Sequence, residues 1–364
     1  MSILDFSYTN SRIRSLKTRL LEPDFLKALA SCENVVEIIN LLSNTSYGYH
    51  INQAVYLAQG TRGIEAGLQN YLVSHVNFLK QRVLSKKALY FILPILERWD
   101  VHNLKVILRA HHAGRHLKEM EESFVPLGSL NPELLRELAR TTELKDMIDL
   151  LYTMGVPFYK PLKEHLFEYE AERNLHLYET ELDRFYFEES LRRISSRFFK
   201  ALDRYDQNKK FTKKMLQLEI DIVNTVTAFK LTPSMLEEEE AQQYFIKGGQ
   251  TIDSDLFLEV YRKESLEEKL KLLEHTPFST RINKAFEETV ATGFISPVQR
   301  VLESLLIEEA YRLFKAYPLS VAPVIAYVWA KYNEVVNLRI IIRCKEADLP
   351  PEKIMRALIL PQRS

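Results

Sequence analysis

The sequence predicts an all-α protein, and three observations carry that reading. Glycine supplies only 10 of 364 residues, well under the ~7% of average composition, which leaves few positive-φ positions for β-hairpins or phosphate-cradling loops. No convincing run of alternating apolar and polar residues marks a strand, whereas apolar residues recur at helical spacing along much of the chain. One helical pattern, moreover, is used three times.

Segments opening at Pro23, Asn131 and Asp253 align without a gap. Phe25-Leu26, Leu134-Leu135 and Leu256-Phe257 coincide, as do Leu29, Leu138 and Val260; Val35, Leu144 and Leu266 follow, then Leu41-Leu42, Leu150-Leu151 and Leu272-Leu273. Apolar positions on each side of a polar break predict two short amphipathic helices packed as a hairpin. Each opening residue pair (Pro-Asp, Pro-Glu, Ser-Asp) suits a helix first turn. Longer amphipathic stretches run from Ile64 to Gln81, Thr180 to Leu202 and Val298 to Tyr317.

After each of these stretches a second element recurs: Asp100, Asn103 and Arg109; Asp221, Asn224 and Lys230; Glu334, Asn337 and Arg343. Acid, amide and base keep one spacing, and acid and Asn share a helix face at i and i+3 within an apolar surround. We divide the chain accordingly into three helical repeats: residues 1–115, 116–235 and 236–364. The linkers are polar: Gly114 to Ser129, Thr232 to Asp253 with its run of four glutamates from Glu237 to Glu240, and Asp348 to Pro351.

At 46% hydrophobic and 27% charged residues the chain reads as a folded, water-soluble protein. Lys and Arg balance Asp and Glu at 49 each, so the chain as a whole has no field that draws it onto nucleic acid. The uncharged stretch between Lys315 and Lys331 has 15 residues, contains Pro318 and Pro323 and is shorter than the ~20 apolar residues that span a bilayer. The N-terminus lacks the apolar run of a secretory signal, and Cys32 and Cys344 form no disulfide framework. A cytosolic location is expected.

Common catalytic motifs are absent: no Gly-rich phosphate loop, no nucleophile elbow, no His-Glu-x-x-His. The acid-x-x-Asn pairs could serve as a general-acid site or as a structural bridge. A catalytic constellation is built once, from converging elements, and this pair appears once per repeat, which favours the bridge. His102, His111, His112 and His116 with Glu119 offer a possible metal face, but ligands from one helix and its exit seldom close a site without a second segment. The sequence therefore predicts no catalytic residue, no metal and no cofactor. Between Arg192 and Lys214 nine basic residues stand against two acids. Arg192, Arg193, Arg197, Lys200, Arg204, Lys209 and Lys210 belong to this stretch, read either as a solvated face or as a contact for an acidic partner or anionic lipid.

Residues 326–358 resemble the closing motif of the C subunit of the bacterial and archaeal V-type (A/V-type) ATPases, a relative of the d subunit of eukaryotic V-ATPase, in Glu334, Asn337, Arg339, Arg343, Lys345, Leu349-Pro350 and Glu352. Tyr8, Arg12, Arg14, Leu20 and Leu21 fit that family's start, and Asp100, Asn103 and Leu104 fit as well. The middle repeat departs, with Thr225-Val226 where the others read Leu-Lys or Leu-Arg. The resemblance implies a funnel-like body of three helical domains without an active site, peripheral on the cytoplasmic face of the membrane. It implies a rotor, or central-stalk, subunit that sockets the central-shaft subunits onto the membrane proteolipid ring and passes torque during ATP-coupled H⁺ or Na⁺ transport or ATP synthesis. The competing expectation is a helical-repeat adaptor that docks peptides in a groove; an α-helical enzyme ranks third.

Overall fold

The structure, a computed structural model, describes residues 4–57, 60–114, 123–195 and 206–360. Among the described residues all regular structure is helical. The repeated hairpins occupy Pro23–Ser31 with Val35–Ser43, Pro132–Arg140 with Leu144–Thr153, and Ser254–Tyr261 with Leu266–Leu272. Local chemistry starts them. Asn131 accepts from the Leu134 amide at 2.8 Å and Asp253 from the Leu256 amide at 2.9 Å, while Pro23 and Pro132 occupy the first helical turn, where a missing N–H costs nothing.

The longer stretches form helices Thr61–Phe78, Leu175–Ser195 and Ser296–Ala316, the first extended by a π turn at Leu79–Val83. The acid–Asn elements are helices Arg98–Ala113, Asp206–Lys230 and Ala322–Glu346. One segment read as linker contains a helix, Glu238–Gln242. Its acidic run drives it. The Glu237 side chain caps the first turn and Glu240 accepts from the Glu237 amide at 2.9 Å, and clustered carboxylates favour a helix N-terminus.

The chain folds as two compact units, residues 1–92 with 307–364, and residues 93–306. In the first, helix Ala322–Glu346 is buried around most of its circumference, from Val324 and Val328 to Leu338 and Ile342, as a helix enclosed by others must be. It packs against Leu4–Lys17, Pro23–Ser31, Thr61–Phe78 and Pro351–Ala357. Both ends of the sequence therefore meet in one core, where Asn10 donates to the Pro318 and Ser320 carbonyls at 2.9 Å.

In the second unit, Leu104, Ile107 and Leu108 join Leu135, Leu138, Leu151 and Leu182 in one cluster. Pro94 lies inside helix Lys86–Leu96, and the Tyr186 hydroxyl donates to its carbonyl at 2.9 Å. A buried cation closes another helix end. Lys269 Nζ donates to the carbonyls of Ala228, Phe229 and Leu231 at 2.9, 3.3 and 2.5 Å, a charge placed where the helix dipole favours it. Burial pushes this ammonium down to about 8, so it is charged at neutral pH.

Lys269→Met leaves three inward-facing carbonyls without that donor, so denaturant unfolding should show a loss of about 2 kcal/mol. An unchanged midpoint would contradict the role given to the cation.

Candidate functional site

The acid–Asn pairs are the most distinctive polar construction in the structure, and each is a clamp on a passing stretch of non-helical chain. In the first, Asn103 is fully buried. Its Nδ2 donates to the Val125 carbonyl at 3.1 Å and its Oδ1 accepts from the Val125 amide at 2.7 Å. One side chain thus satisfies both backbone groups of one residue. A turn away, Asp100 accepts from the amides of Ser129 at 2.6 Å and Leu130 at 3.0 Å.

The second clamp repeats the first. Asn224 donates to the Ile246 carbonyl at 2.8 Å and accepts from its amide at 2.9 Å. Asp221 accepts from the amides of Gln250, Thr251 and Ile252 at 3.0 to 3.1 Å. Burial raises the Asp221 carboxyl, and these amides oppose the rise. Glycine is needed in both straps. A Cβ on Gly128 would overlap the Asp100 carboxylate, and one on Gly249 would overlap Asp221 Oδ1.

The third clamp keeps the amide and changes the acid. Asn337 donates to the Ile359 carbonyl at 2.9 Å and accepts from its amide at 2.8 Å, and Asn333 adds a second donor to that carbonyl at 2.9 Å. In all three clamps the Asn grips the residue 22 positions downstream. Glu334 instead reaches back to the start of the sequence. It accepts from the Leu21 amide, from the Tyr47 hydroxyl at 2.7 Å and from Lys331 Nζ at 2.6 Å. Burial raises the Glu334 carboxyl; Lys331, Tyr47 and Leu21 act against that.

Leu21, Leu130 and Ile252 are equivalent, each lying one residue before the N-cap of a hairpin's first helix. The acid of each clamp therefore fixes the entry to a hairpin. For Asp100 and Asp221 that hairpin follows along the chain, and for Glu334 it is the first hairpin of the sequence. The segment before Leu21 carries Thr18 and Arg19 where the other straps place glycine, and the acid that meets it is Glu334, one methylene longer than Asp100 and Asp221.

The bases that share the sequence spacing stand apart from the clamps. Arg109 makes a bidentate pair with Glu179 at 2.6 and 2.7 Å, Arg343 pairs with Glu65, and Lys230 lies exposed at its helix end. In the basic stretch, Arg192 pairs with Glu189 and Arg193 with Glu97. Lys209 is half-buried and Lys210 exposed, both engaged in interactions; Arg197, Lys200 and Arg204 lie outside the described residues. His112 meets the Tyr169 hydroxyl at 2.8 Å and His111 the Thr141 hydroxyl at 3.2 Å. Burial lowers His102 and His111, and His116 and Glu119 fall outside the described residues. Sequence reasoning missed Tyr47, Lys331, Gly128 and Gly249, of which only the two glycines, rare in this chain, left a signal.

Asn103→Ala or Asn224→Ala strips two buried backbone groups of their partners, and calorimetry or denaturant unfolding should show losses of about 2–4 kcal/mol each. Arg109→Ala should cost below ~1 kcal/mol, because the Arg109 side chain is 57% exposed although Glu179 is at 8%. Equal losses for the two classes would remove the distinction between clamp and surface pair.

Comparison with known proteins gives the family. A family model described as ATP synthase (C/AC39) subunit matches residues 9–357. The C subunit of the A-type ATP synthase of Methanocaldococcus jannaschii is 26% identical over 359 residues, covering 99% of this chain and 87% of the relative. That of Methanococcoides burtonii is 28% identical, covering 98% and 94%, and that of Pyrococcus abyssi is 27% identical, covering 96% and 89%. No helix among the described residues is long and apolar enough to cross a membrane. With the match running through all three acid–Asn elements, the chain belongs to the ATP synthase (C/AC39) subunit family, whose members are accessory and non-catalytic.

Proposed function

We propose that this protein is a central-stalk subunit that sockets the shaft of a rotary ATPase onto its membrane proteolipid ring and transmits torque during ATP-coupled H⁺ or Na⁺ movement, peripheral on the cytoplasmic face. The observation that carries the reading is the near full-length match to a family of ATP synthase subunits, with relatives that are C subunits of A-type ATP synthases. The clamps supply the mechanical rationale. A torque adaptor must not unwind, and buried bidentate bonds hold its inter-helix straps where ordinary loops would flex.

The three segments 1–115, 116–235 and 236–364 are, in this reading, one module used three times and closed out of register. Each acid–Asn helix holds the strap and hairpin entry that come next, and the last helix holds the first hairpin. Residues 192–210 are proposed as part of a partner contact, with their ion pairs at Glu97 and Glu189 exchanged for acidic groups of the partner.

Affinity purification of the tagged protein from detergent-solubilised membranes should recover proteolipid and nucleotide-binding subunits in fixed proportion. Recovery of extended peptides or soluble proteins alone would instead support the helical-repeat adaptor and refute the rotor reading.

A further inference from the structure

The first unit contains a cavity of about 440 Å³ that the clamps do not use, a size suited to a small-molecule ligand. Arg12 and Arg19 form one side, contributed by the N-terminal helix Leu4–Lys17 and the turn after it. Tyr71, His75 and Phe78 of helix Thr61–Phe78, with Tyr327 of helix Ala322–Glu346, form the wall. The chemistry of the lining is one-sided: its charged residues are both basic, and no carboxylate faces the space.

Neither arginine is consumed elsewhere. Both are exposed; Arg12 donates to the Tyr8 hydroxyl at 3.0 Å, and among the described residues neither has an acidic partner. This sets them apart from Arg109, Arg192, Arg193 and Arg343, each of which holds a carboxylate. Guanidinium forks match the oxygens of phosphate in bidentate geometry, and two of them about two helical turns apart in sequence suit a ligand with more than one anionic group.

The wall is aromatic and held in place, with Phe78 and Tyr327 tilted against the His75 ring by 39° and 51°. Tyr71 stacks on His75 with ring centroids 5.5 Å apart and planes at 18°. His75 Nε2 lies 2.7 Å from the Tyr327 hydroxyl, and the Tyr71 hydroxyl donates to Ser46 Oγ at 3.0 Å. Behind the wall, Lys331 sits 5.3 Å from the Tyr71 ring centroid. Its partner Glu334 is neutralised at 2.6 Å and stays out of the lining. Burial, with the charges of Lys331 and Arg19, pushes the His75 imidazole down to about 4, so the wall is uncharged at neutral pH. Phe78, partly exposed, extends the apolar surface toward solvent. Aromatic faces accept any planar heterocycle by stacking.

We propose that this cavity binds a small organic phosphate with a planar aromatic body, of the nucleoside di- or triphosphate class, its phosphates held by Arg12 and Arg19 and its base laid against the Tyr71–His75–Phe78 wall. A compact, concave site favours this ligand over an extended acidic peptide, which needs a groove. The inference stands independently of the rotor reading, because it concerns the isolated chain.

The test is isothermal titration of the purified full-length protein with ADP, adenosine, tripolyphosphate and an acidic peptide. ADP should bind saturably and more tightly than adenosine or tripolyphosphate, and should weaken as salt rises. The exposed substitutions Arg12→Gln and Arg19→Gln together should weaken ADP by about tenfold or more, with the helical circular dichroism unchanged. Phe78→Ser should weaken ADP and leave tripolyphosphate unaffected. Three results would overturn the proposal: no saturable ADP binding at millimolar concentration, equal ADP binding by the double variant, or binding of the acidic peptide in place of ADP.

Discussion

A single buried carboxamide that meets both the N–H and the C=O of one residue in a passing strap is the interaction on which the rest of this structure rests. Asn103 does this for Val125, Asn224 for Ile246 and Asn337 for Ile359. No other side chain of that size offers a donor and an acceptor in one plane; aspartate lacks the donor, and leucine lacks both. The constraint is severe because irregular chain cannot be buried with its backbone groups unpaired. Once the strap is fixed, the acid one turn earlier collects the amides at the next hairpin entry, and the hairpin's apolar face is delivered to the core.

The same logic explains why the two ends of the sequence share a unit. Glu334 serves Leu21, so the last acid–Asn helix completes its environment with the first hairpin, and Asn10 ties the N-terminal helix to the Pro318 and Ser320 carbonyls. The substitution of Glu for Asp is accompanied by local changes. Lys331 and Tyr47 enter as partners, the ammonium lies 5.2 Å from the Tyr47 ring centroid, and the strap loses its glycine. A lone buried carboxylate with one amide would be costly, and the added cation and phenol offset that cost.

Much of this was legible in the sequence, for a physical reason. Helical hairpins and long amphipathic helices write their burial into apolar spacing, so Phe25-Leu26, Leu134-Leu135 and Leu256-Phe257 announce themselves. The acid-x-x-Asn pairs stood out through recurrence. Their targets did not, because Val125, Ile246 and Ile359 are gripped by backbone groups that every residue carries. Spacing also grouped Arg109, Lys230 and Arg343 with the pairs, although Arg109 and Arg343 turn to Glu179 and Glu65 on other helices. Charge counting could not see that Arg192 and Arg193 are matched by Glu189 and Glu97, since Glu97 lies far away in sequence. The glutamate run at 237–240 read as linker because a short helix held by its own caps has no apolar period to display.

The account is tested most directly by hydrogen exchange at the amides of Val125, Ile246 and Ile359. All three lie outside helices, and ordinary loop amides exchange rapidly through local opening. If the carboxamide clamps hold the straps, these amides exchange as slowly as those in the core of helix Ala322–Glu346, opening only with global unfolding. Fast exchange at all three, with the helices still protected, would contradict the account.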